Sequence, residues 1–407
     1  MKNSYFINNR KRLKKSIKNN SVVILYSGYL VNKSADEEYD FQVNLNFYYL
    51  TNIDQDNSFL VMGKKDGKYF ERLIIDPFDP KREAWTGKRL TKQEASEISG
   101  VETVYDDVNI TDYLDSLGVS RVYLDLEDEG NYFINYNSFG LTFRDCIEES
   151  YIVEDIYPAI LDLRRIKQNY ELNFLKQSIK VTNKGLKNVM RKLKDGKYEY
   201  QSEEDFAQVV KYNGNRRFSF KTIAASGKNS TTLHYGTNME QMHDGDVILF
   251  DLGCKTNEYC SDISRTYPVN GKFSERQKTI YNIVLRTNEH CIEFAKAGMT
   301  FKELNEEARR CLFEGLKEIG KINSIDELDQ YYFHGVSHSL GLDCHDPVSD
   351  RVIREGMVIT IEPGLYIKDE QIGVRIEDDI VINKDGNVVL SKDIIKHVED
   401  IEKFMAK

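Results

Sequence analysis

Four carboxylates interrupt strand-like apolar runs in the C-terminal half of the chain. They are Asp251 in VILFDLG, Asp262 in CSDISRTY, Glu362 in VITIEPG and Glu377 in VRIEDDI. Acidic residues are uncommon in strands, and burying an ionised carboxylate costs several kcal/mol unless a cation or strong donors lie nearby. One such residue would favour an ion pair or a strand-end contact, whereas four together favour a cation site.

The spacing of these acids predicts two hairpins. Asp251 and Asp262 are eleven residues apart, with Gly253 and a polar CKTNE stretch between them, and Glu362 and Glu377 flank PGLYIKDEQIG. Both separations suit antiparallel strands joined by a turn, with the acids of each pair on one face. We therefore expect the four carboxylates to converge.

A histidine-rich segment, FHGVSHSLGLDCHD at 333–346, contributes His334, His338 and His345. The residues alone leave open a zinc site, a proton relay or an imidazole-rich loop. No cysteine stands at zinc-finger spacing from a histidine, which disfavours a structural zinc site. Four carboxylates with one imidazole suit Mn²⁺ or Mg²⁺, and the imidazole extends the range to Co²⁺, Fe²⁺ and Zn²⁺.

The charge of the carboxylate set indicates how many ions it holds. Four carboxylates bring a charge of −4, which two divalent ions neutralise and one does not. Two ions a few Å apart can share a water-derived nucleophile and polarise a carbonyl together, as in metal-assisted hydrolysis.

Composition limits the other classes of function. The 407 residues include 56 Lys and Arg against 66 Asp and Glu, so the net charge of −10 argues against a nucleic-acid partner. No apolar run approaches the roughly 18 residues that a transmembrane helix needs. The basic N-terminus lacks the apolar region of a secretory signal, and we expect it to form a solvated helix. Six scattered cysteines without a CxxC pair suggest reduced thiols, and we expect a cytoplasmic protein.

The chain is long enough for two domains, and the pattern of apolar and polar residues changes near residue 160. Before that point, strand-like runs at 21–29, 57–63, 71–77 and 121–128 alternate with helical stretches such as 91–99, which predicts an α/β domain. A long amphipathic helix then runs to Asp195 and Gly196. Two later helices open with capping boxes at Ser274 and Thr300, and strand hairpins follow each helical stretch.

The ordered series Asp251, Asp262, His338, Glu362 and Glu377, with HGVSHSLGLDCHD, ITIEPGLY and GVRIEDD around its last members, resembles the pita-bread metallopeptidases. Within them the sequence is most similar to the Xaa-Pro aminopeptidase (aminopeptidase P) family. NFYYLTNID at 46–54 and REAWTGKRLT at 82–91 extend the resemblance into the first domain. It implies an α/β fold, with an N-terminal creatinase/aminopeptidase P-like domain over 1–160 and a catalytic pita-bread domain over 161–407.

The resemblance also implies roles for individual residues. The five residues of the series would bind two divalent ions, usually Mn²⁺, with Asp262 and Glu377 bridging them. Glu362 would also act as general base or acid towards the nucleophile. Three histidines outside the ligand set would orient substrate and stabilise its oxyanion, with Arg375 beside them and aromatic walls of the proline pocket nearby. These histidines are His234, His334 and His345, and the aromatic residues are Phe220 and Tyr366.

Plainer interpretations stand beside these. A lone loop histidine such as His234 is more often solvated than catalytic, and Arg375, two residues before Glu377 on one strand face, could be its ion-pair partner. His243, His290 and His397 fall in helical or surface-like polar contexts and receive no role.

Three functions compete. The leading one is an exopeptidase that removes the N-terminal residue from peptides with proline at the second position, since the tertiary X-Pro amide needs a dedicated pocket. A prolidase confined to X-Pro dipeptides is the nearest alternative. The third is a metal-free binding module or a creatinase-like C–N hydrolase, which an intact ligand set argues against. By resemblance, the first domain would restrict access to the site and form the subunit contacts of a homodimer or homotetramer.

Overall fold

The computed structural model describes residues 1–126 and 139–406, and the chain divides into two compact units, Met1–Arg164 and Arg165–Lys407. Each is an α/β arrangement with its own buried core. The strand expected at 121–128 begins at Arg121 and ends at Leu124, and its expected last two positions, 127 and 128, lie outside the described residues.

The first unit is built on a six-stranded mixed sheet in the order β6-β5-β4-β1-β7-β8. Its central strand β1 pairs antiparallel with β4 and parallel with β7. The four runs predicted as strands are β1, β4, β5 and β7, as their β-branched and aliphatic composition favours. The elements are α1 (Ser4–Leu13), β1 (Ser21–Tyr26), β2 (Asn32–Ser34), β3 (Glu37–Glu38), α2 (Leu45–Thr51), β4 (Phe59–Lys65), β5 (Lys68–Ile75), α3 (Pro80–Thr86), α4 (Lys92–Ser99), β6 (Val104–Asp106), α5 (Ile110–Leu117), β7 (Arg121–Leu124), α6 (Phe139–Ile147), β8 (Ile152–Asp155) and α7 (Tyr157–Arg164).

The basic N-terminal helix is present but is not simply solvated. Phe6 and Leu13 are buried, and so is Arg10, whose Nε lies 2.9 Å from Oε2 of Glu71 on β5. Arg10 also donates to the carbonyl oxygens of Leu50 and Ser99. The expectation of a solvated helix was therefore wrong for this face, because a cationic residue can be buried when all its donors are paired.

The second unit repeats one order of elements: two helices followed by strand hairpins. Its elements are α8 (Asn169–Lys192), α9 (Glu199–Tyr212), β9 (Ile223–Ser226), β10 (Val247–Leu252), β11 (Lys255–Thr256), β12 (Tyr259–Cys260), β13 (Ile263–Pro268), α10 (Glu275–Phe294), α11 (Phe301–Glu318), β14 (Val358–Ile361), β15 (Gly364–Ile367), β16 (Ile372–Arg375), β17 (Asp378–Asn383), β18 (Gly386–Val389) and α12 (Val398–Met405). Both predicted capping boxes are formed, by Ser274 with Gln277 and by Thr300 with Glu303.

Two sheets carry the strands that matter for chemistry. One has the order β13-β10-β9, and the other has the order β14-β17-β18. Two apolar clusters join them to the helices. One packs Ile179 of α8 and Tyr281 of α10 with Phe250 of β10, and the other packs Leu304 of α11 with Ile359 of β14. Each sheet is therefore packed against helices, which fixes the positions of its strand ends.

Within residues 1–126 and 139–406, no helix combines the length and the hydropathy that a bilayer span requires.

Candidate metal centre

The first pair of carboxylates lies on neighbouring antiparallel strands. Asp251 is on β10 and faces Ser264 of β13 across the ladder, and Asp262 directly precedes β13. The short β11–β12 hairpin fills the interval between the two acids. The hairpin expected from their spacing is thus present, and both acids lie at the same end of the strand pair.

The second pair is placed by β14 and β17. Ile361 pairs with Asp378, so Glu362 after β14 and Glu377 before β17 lie at the same end of this ladder. The backbone N–H of Glu377 donates to the carbonyl of Ser264 at 3.1 Å, and the Ser264 hydroxyl donates to Oε2 of Glu377 at 2.7 Å. Ser264 therefore joins the two carboxylate pairs.

His338 meets these acids from the segment between α11 and β14. Its backbone is bonded to Thr360 of β14, and its Nδ1 donates to the carbonyl of Ser339 at 3.1 Å. With Nδ1 protonated, Nε2 is the nitrogen left for a ligand bond. That Nε2 lies 3.4 Å from Oδ2 of Asp262 and 3.5 Å from Oε1 of Glu362.

The donor set fits a divalent cation. One donor atom from each of Asp262, His338 and Glu377 lies within 4.8 Å of the other two. Oδ1 of Asp251 is buried with no hydrogen-bond partner among the described residues, which is unfavourable for a carboxylate unless a cation binds it. The side chains thus offer convergent oxygens and one nitrogen, as hard and borderline divalent ions prefer.

Electrostatics without a cation point the same way. Burial raises the pKa of Asp251 to about 7 although Arg375 opposes it, and burial likewise raises the pKa of Glu362 to about 7 against His338. Burial and the Asp262 charge raise the pKa of Glu377 well above its usual value. For His338, burial lowers the pKa, but Asp262 and Glu362 outweigh it and bring the pKa to about 9. Without a cation, the neighbouring carboxylates repel one another, and a positive charge bound among them would offset that repulsion.

Arg375 supplies one such charge, on a different partner from the one expected. Its Nη2 donates to Oδ2 of Asp251 at 2.7 Å, and its Nε donates to the hydroxyl of Ser264 at 2.7 Å. Glu377 was the ion-pair partner that the plainer interpretation of Arg375 suggested. The β15–β16 hairpin instead carries the Arg375 side chain to β10, where it pairs with Asp251.

A cavity of about 560 Å³ opens over the centre. Apart from Tyr366, every residue expected at the site lines it. The lining includes the five ligand candidates together with Phe220, His234, His334, His345 and Arg375, and Ile223 and Leu233 add apolar surface. The structure thus brings together residues separated by more than 150 positions in sequence.

Tyr366 is placed differently from the pocket wall that was expected. It is fully buried in a small core with Leu249 and does not line the cavity as the described residues define it. Its hydroxyl accepts from Nη1 of Arg375 at 2.9 Å and donates to Nε2 of His334 at 2.8 Å. Because its ring packs into the core, Tyr366 contributes to the site through the hydrogen bonds of its hydroxyl to Arg375 and His334.

Two of the histidines outside the ligand set, His334 and His345, are neutral. Burial and the Arg375 charge lower the pKa of His334 to about 3, and burial and His338 lower the pKa of His345. His334 donates from Nδ1 to the carbonyl of Gly335 at 2.8 Å, so its Nε2 is the acceptor of the Tyr366 hydroxyl. The His345 ring stacks on His338 with centroids 4.0 Å apart. His234 lies on the cavity wall.

Two features at the site were not found from the sequence. The Cys344 thiol lines the cavity and donates to Oδ2 of Asp262 at 2.8 Å. Asp346 forms a fully buried ion pair with Lys167, Nζ to Oδ2, at 2.7 Å. Cys344 and Asp346 flank His345, which was the only available signal, and Lys167 lies 179 positions from its partner without any motif.

Comparison with known proteins agrees with this geometry. Residues 173–384 match Metallopeptidase family M24, and residues 6–123 match Aminopeptidase P, N-terminal domain. The Xaa-Pro aminopeptidase of Escherichia coli K12 is 32% identical, over 98% of this chain and 97% of its own. A solved structure from Bacillus anthracis is 43% identical with a TM-score of 0.96, covering 100% of this chain and 98% of its own. E. coli aminopeptidase P with the inhibitor Pro-Leu gives a TM-score of 0.91 at 32% identity, with 100% and 98% coverage.

Proposed function

The chain belongs to metallopeptidase family M24, and on that premise we propose that it is an Xaa-Pro aminopeptidase, a metallo-exopeptidase that hydrolyses the bond between an N-terminal residue and a penultimate proline. The observation that carries this proposal is the convergence of four carboxylates and His338 under one cavity. The matched N-terminal domain favours an aminopeptidase over a prolidase. The metal-free alternatives fit poorly, because unpaired buried carboxylates would have no function in them.

We propose that five residues would hold two divalent ions, with Mn²⁺ as the first candidate and Co²⁺, Zn²⁺ and Fe²⁺ as alternatives. These residues are Asp251, Asp262, His338, Glu362 and Glu377. Ions bound there would activate water at neutral pH and polarise a carbonyl. The four acids and Arg375 sum to −3, so two divalent ions leave a net charge of +1. That surplus favours the negative charge that develops on the substrate during hydrolysis.

The protein's own side chains then have separable tasks. Glu362 lines the cavity, where its carboxylate is suited to accept a proton from the nucleophile and return it. His345 and His234 line the cavity and are suited to hold the peptide carbonyl. His334 is hydrogen-bonded to the carbonyl of Gly335 and to the hydroxyl of Tyr366. Its imidazole can therefore donate to the substrate only when the hydrogen bond to Gly335 is exchanged for one to the substrate.

Selectivity for proline follows from the apolar part of the lining. Phe220, Ile223 and Leu233 offer a surface for the pyrrolidine ring. The X-Pro amide has no N–H to donate. A pocket that offers no hydrogen-bond acceptor at that position therefore binds the amide without leaving a donor unpaired. We propose that this surface, with Phe220 as its aromatic wall, recognises the penultimate proline.

Hydrolysis of matched peptides tests the substrate class. The purified full-length protein is given an X-Pro dipeptide, an X-Pro-Pro tripeptide and the tripeptide with alanine at its second position. We expect release of the first residue from the X-Pro-Pro peptide and at least tenfold slower release from the alanine control. Turnover of the dipeptide alone would establish the prolidase alternative instead.

Chelation tests the metal centre. Removal of divalent ions should abolish hydrolysis and lower the melting temperature, because the buried acids then repel one another without compensation. Mn²⁺ at two equivalents should restore both. If neither activity nor melting temperature responds to chelation and Mn²⁺, the two-metal proposal fails.

We also propose a cytoplasmic homo-oligomer, a dimer or tetramer, in which the domain at 1–160 restricts access to the site. The six cysteines are all free, which is consistent with a reducing compartment. Light scattering on the full chain measures the oligomeric state, and a monomer at working concentration would contradict the assembly.

A further inference from the structure

A second group of metal-ligating side chains lies outside the candidate metal centre, on two packed helices. His290 is on α10, and Glu307 and Cys311 are on α11. One donor atom from each lies within 4.8 Å of the other two, and His290 Nε2 is 2.6 Å from Oε1 of Glu307. Among the residues the structure describes, only this group and the set at Asp262 show such convergence.

The helices hold these donors in place. Glu307 and Cys311 are four residues apart and so share one face of α11, which is turned towards α10. The helices approach closely at Gly315, where a Cβ would lie 2.4 Å from Cγ2 of Ile283. A cavity of about 290 Å³, lined by His290 and Cys311 among others, lies beside the donors. It gives an ion an entry path and leaves room for a water ligand.

An ion-pair network offers the plainer interpretation of these charges. Arg310 donates to Oε1 of Glu307 at 2.6 Å and to Oε1 of Glu314 at 2.7 Å. Its side chain is 47% exposed, and exposed ion pairs contribute little. Arg310 also donates from Nε to Oε2 of Glu307 at 3.1 Å, and its Nη2 lies 3.5 Å from Sγ of Cys311. Arg310 is therefore the cation that a metal ion must displace from Glu307 and Cys311.

We propose that His290, Glu307 and Cys311 form a third metal site, for a thiophilic divalent ion such as Zn²⁺, Co²⁺ or Cd²⁺. Sulfur, imidazole and carboxylate ligands favour these ions over Mn²⁺. The Cys311 thiol releases its proton to solvent on binding, and a water completes the tetrahedron. Donors around a tetrahedral ion stand roughly 3.3–3.8 Å apart, so His290 Nε2 and Oε1 of Glu307, now 2.6 Å apart, must separate by roughly 1 Å and give up their hydrogen bond, which side-chain rotation allows. The site links α10 to α11 and stands independently of the proposed peptidase activity.

The test uses Co²⁺, whose thiolate ligands give a charge-transfer band in the near ultraviolet. Full-length protein preloaded with Mn²⁺ is titrated with Co²⁺ and followed by absorption and by metal analysis. We expect one additional equivalent, the band, and a higher melting temperature. Cys311→Ser and His290→Gln should abolish all three while Mn²⁺ content and peptide hydrolysis stay unchanged. No additional equivalent, or a band that persists in C311S, would overturn the site.

Two further variants keep the result interpretable. Cys344→Ser removes the one thiol that lines the candidate metal centre, so a band lost in C344S and kept in C311S would assign the sulfur ligand to that centre and refute the third site. Arg310→Gln removes the competing cation while leaving the three donors. It should tighten Co²⁺ binding about threefold, as expected from loss of an exposed ion pair; unchanged affinity in R310Q would show that Glu307 is not a ligand.

Discussion

Arg375 donates from Nη2 to Oδ2 of Asp251 at 2.7 Å, and the guanidinium is almost fully buried. The two oxygens of this carboxylate therefore differ: Oδ2 accepts from Arg375, whereas Oδ1 is buried with no partner among the described residues, and Asp251 lines the cavity. The same guanidinium reaches Ser264 and Tyr366. Arg375 thus orients both Asp251, a proposed metal ligand, and Tyr366, whose hydroxyl donates to His334.

Replacing this arginine should impair turnover more than metal binding. Arg375→Lys keeps the charge but replaces the three donor nitrogens of the planar guanidinium with one ammonium nitrogen, which cannot reach Asp251, Ser264 and Tyr366 together. We expect kcat to fall about 10²-fold with both metal equivalents retained, an effect of the size seen when one directed donor is lost from an active site. Steady-state kinetics and metal analysis measure the two quantities, and unchanged kcat in R375K would contradict the role.

The histidines of the 333–346 segment should separate by metal content. His338 offers its free Nε2 to the carboxylate cluster, whereas His345 stacks against His338 from the cavity side. His338→Ala should therefore lose at least one metal equivalent, and His345→Ala and His334→Ala should keep both while losing turnover. Equal metal loss in all three variants would indicate a three-histidine site instead.

The buried pair of Lys167 and Asp346 should be important for stability. Both side chains are 1% exposed, and Asp346 directly follows His345. Lys167→Met leaves a buried carboxylate without its cation, which costs about 3–5 kcal/mol. The matched double variant, Lys167→Met with Asp346→Asn, should recover part of that loss because the carboxylate is gone. Urea unfolding of equally metal-loaded proteins measures it, and a K167M variant as stable as the parent would show that the pair is dispensable.

Glu171 should make stability depend on pH. It is 1% exposed, and burial raises its pKa from 4.5 to about 7 although the backbone N–H of Gln168 and the Lys167 charge oppose the shift. A folded-state pKa above the unfolded value means that stability falls as pH rises from about 4.5 to 7. Glu171→Gln removes that penalty and should be more stable than the parent at pH 8 by about 2–3 kcal/mol.

The pH dependence of this difference is the control. At pH 5 Glu171 is protonated in the folded protein and only partly ionised in the unfolded chain, so the advantage of E171Q should shrink to below about 1 kcal/mol. Urea unfolding of variant and parent at pH 5 and pH 8, at equal metal loading, gives the difference directly. An advantage of equal size at both pH values would mean that the charge of Glu171 is not its cause.

The sequence by itself determined the elements and the ligand candidates. Local rules act over a few residues, so the strand runs, the α8 amphipathic pattern and the capping boxes at Ser274 and Thr300 could be read directly. Acids inside apolar runs likewise predict a cation site, because burying an ionised carboxylate is costly without a compensating positive charge or strong donors.

Only the tertiary structure decided which side chains meet. Arg375 pairs with Asp251 and not Glu377, Tyr366 turns into the core, and Cys344 reaches Asp262. The Lys167–Asp346 pair joins residues 179 positions apart. Contacts of this kind depend on how strands and helices pack across the whole unit, and the spacing of residues along the chain carries no information about them.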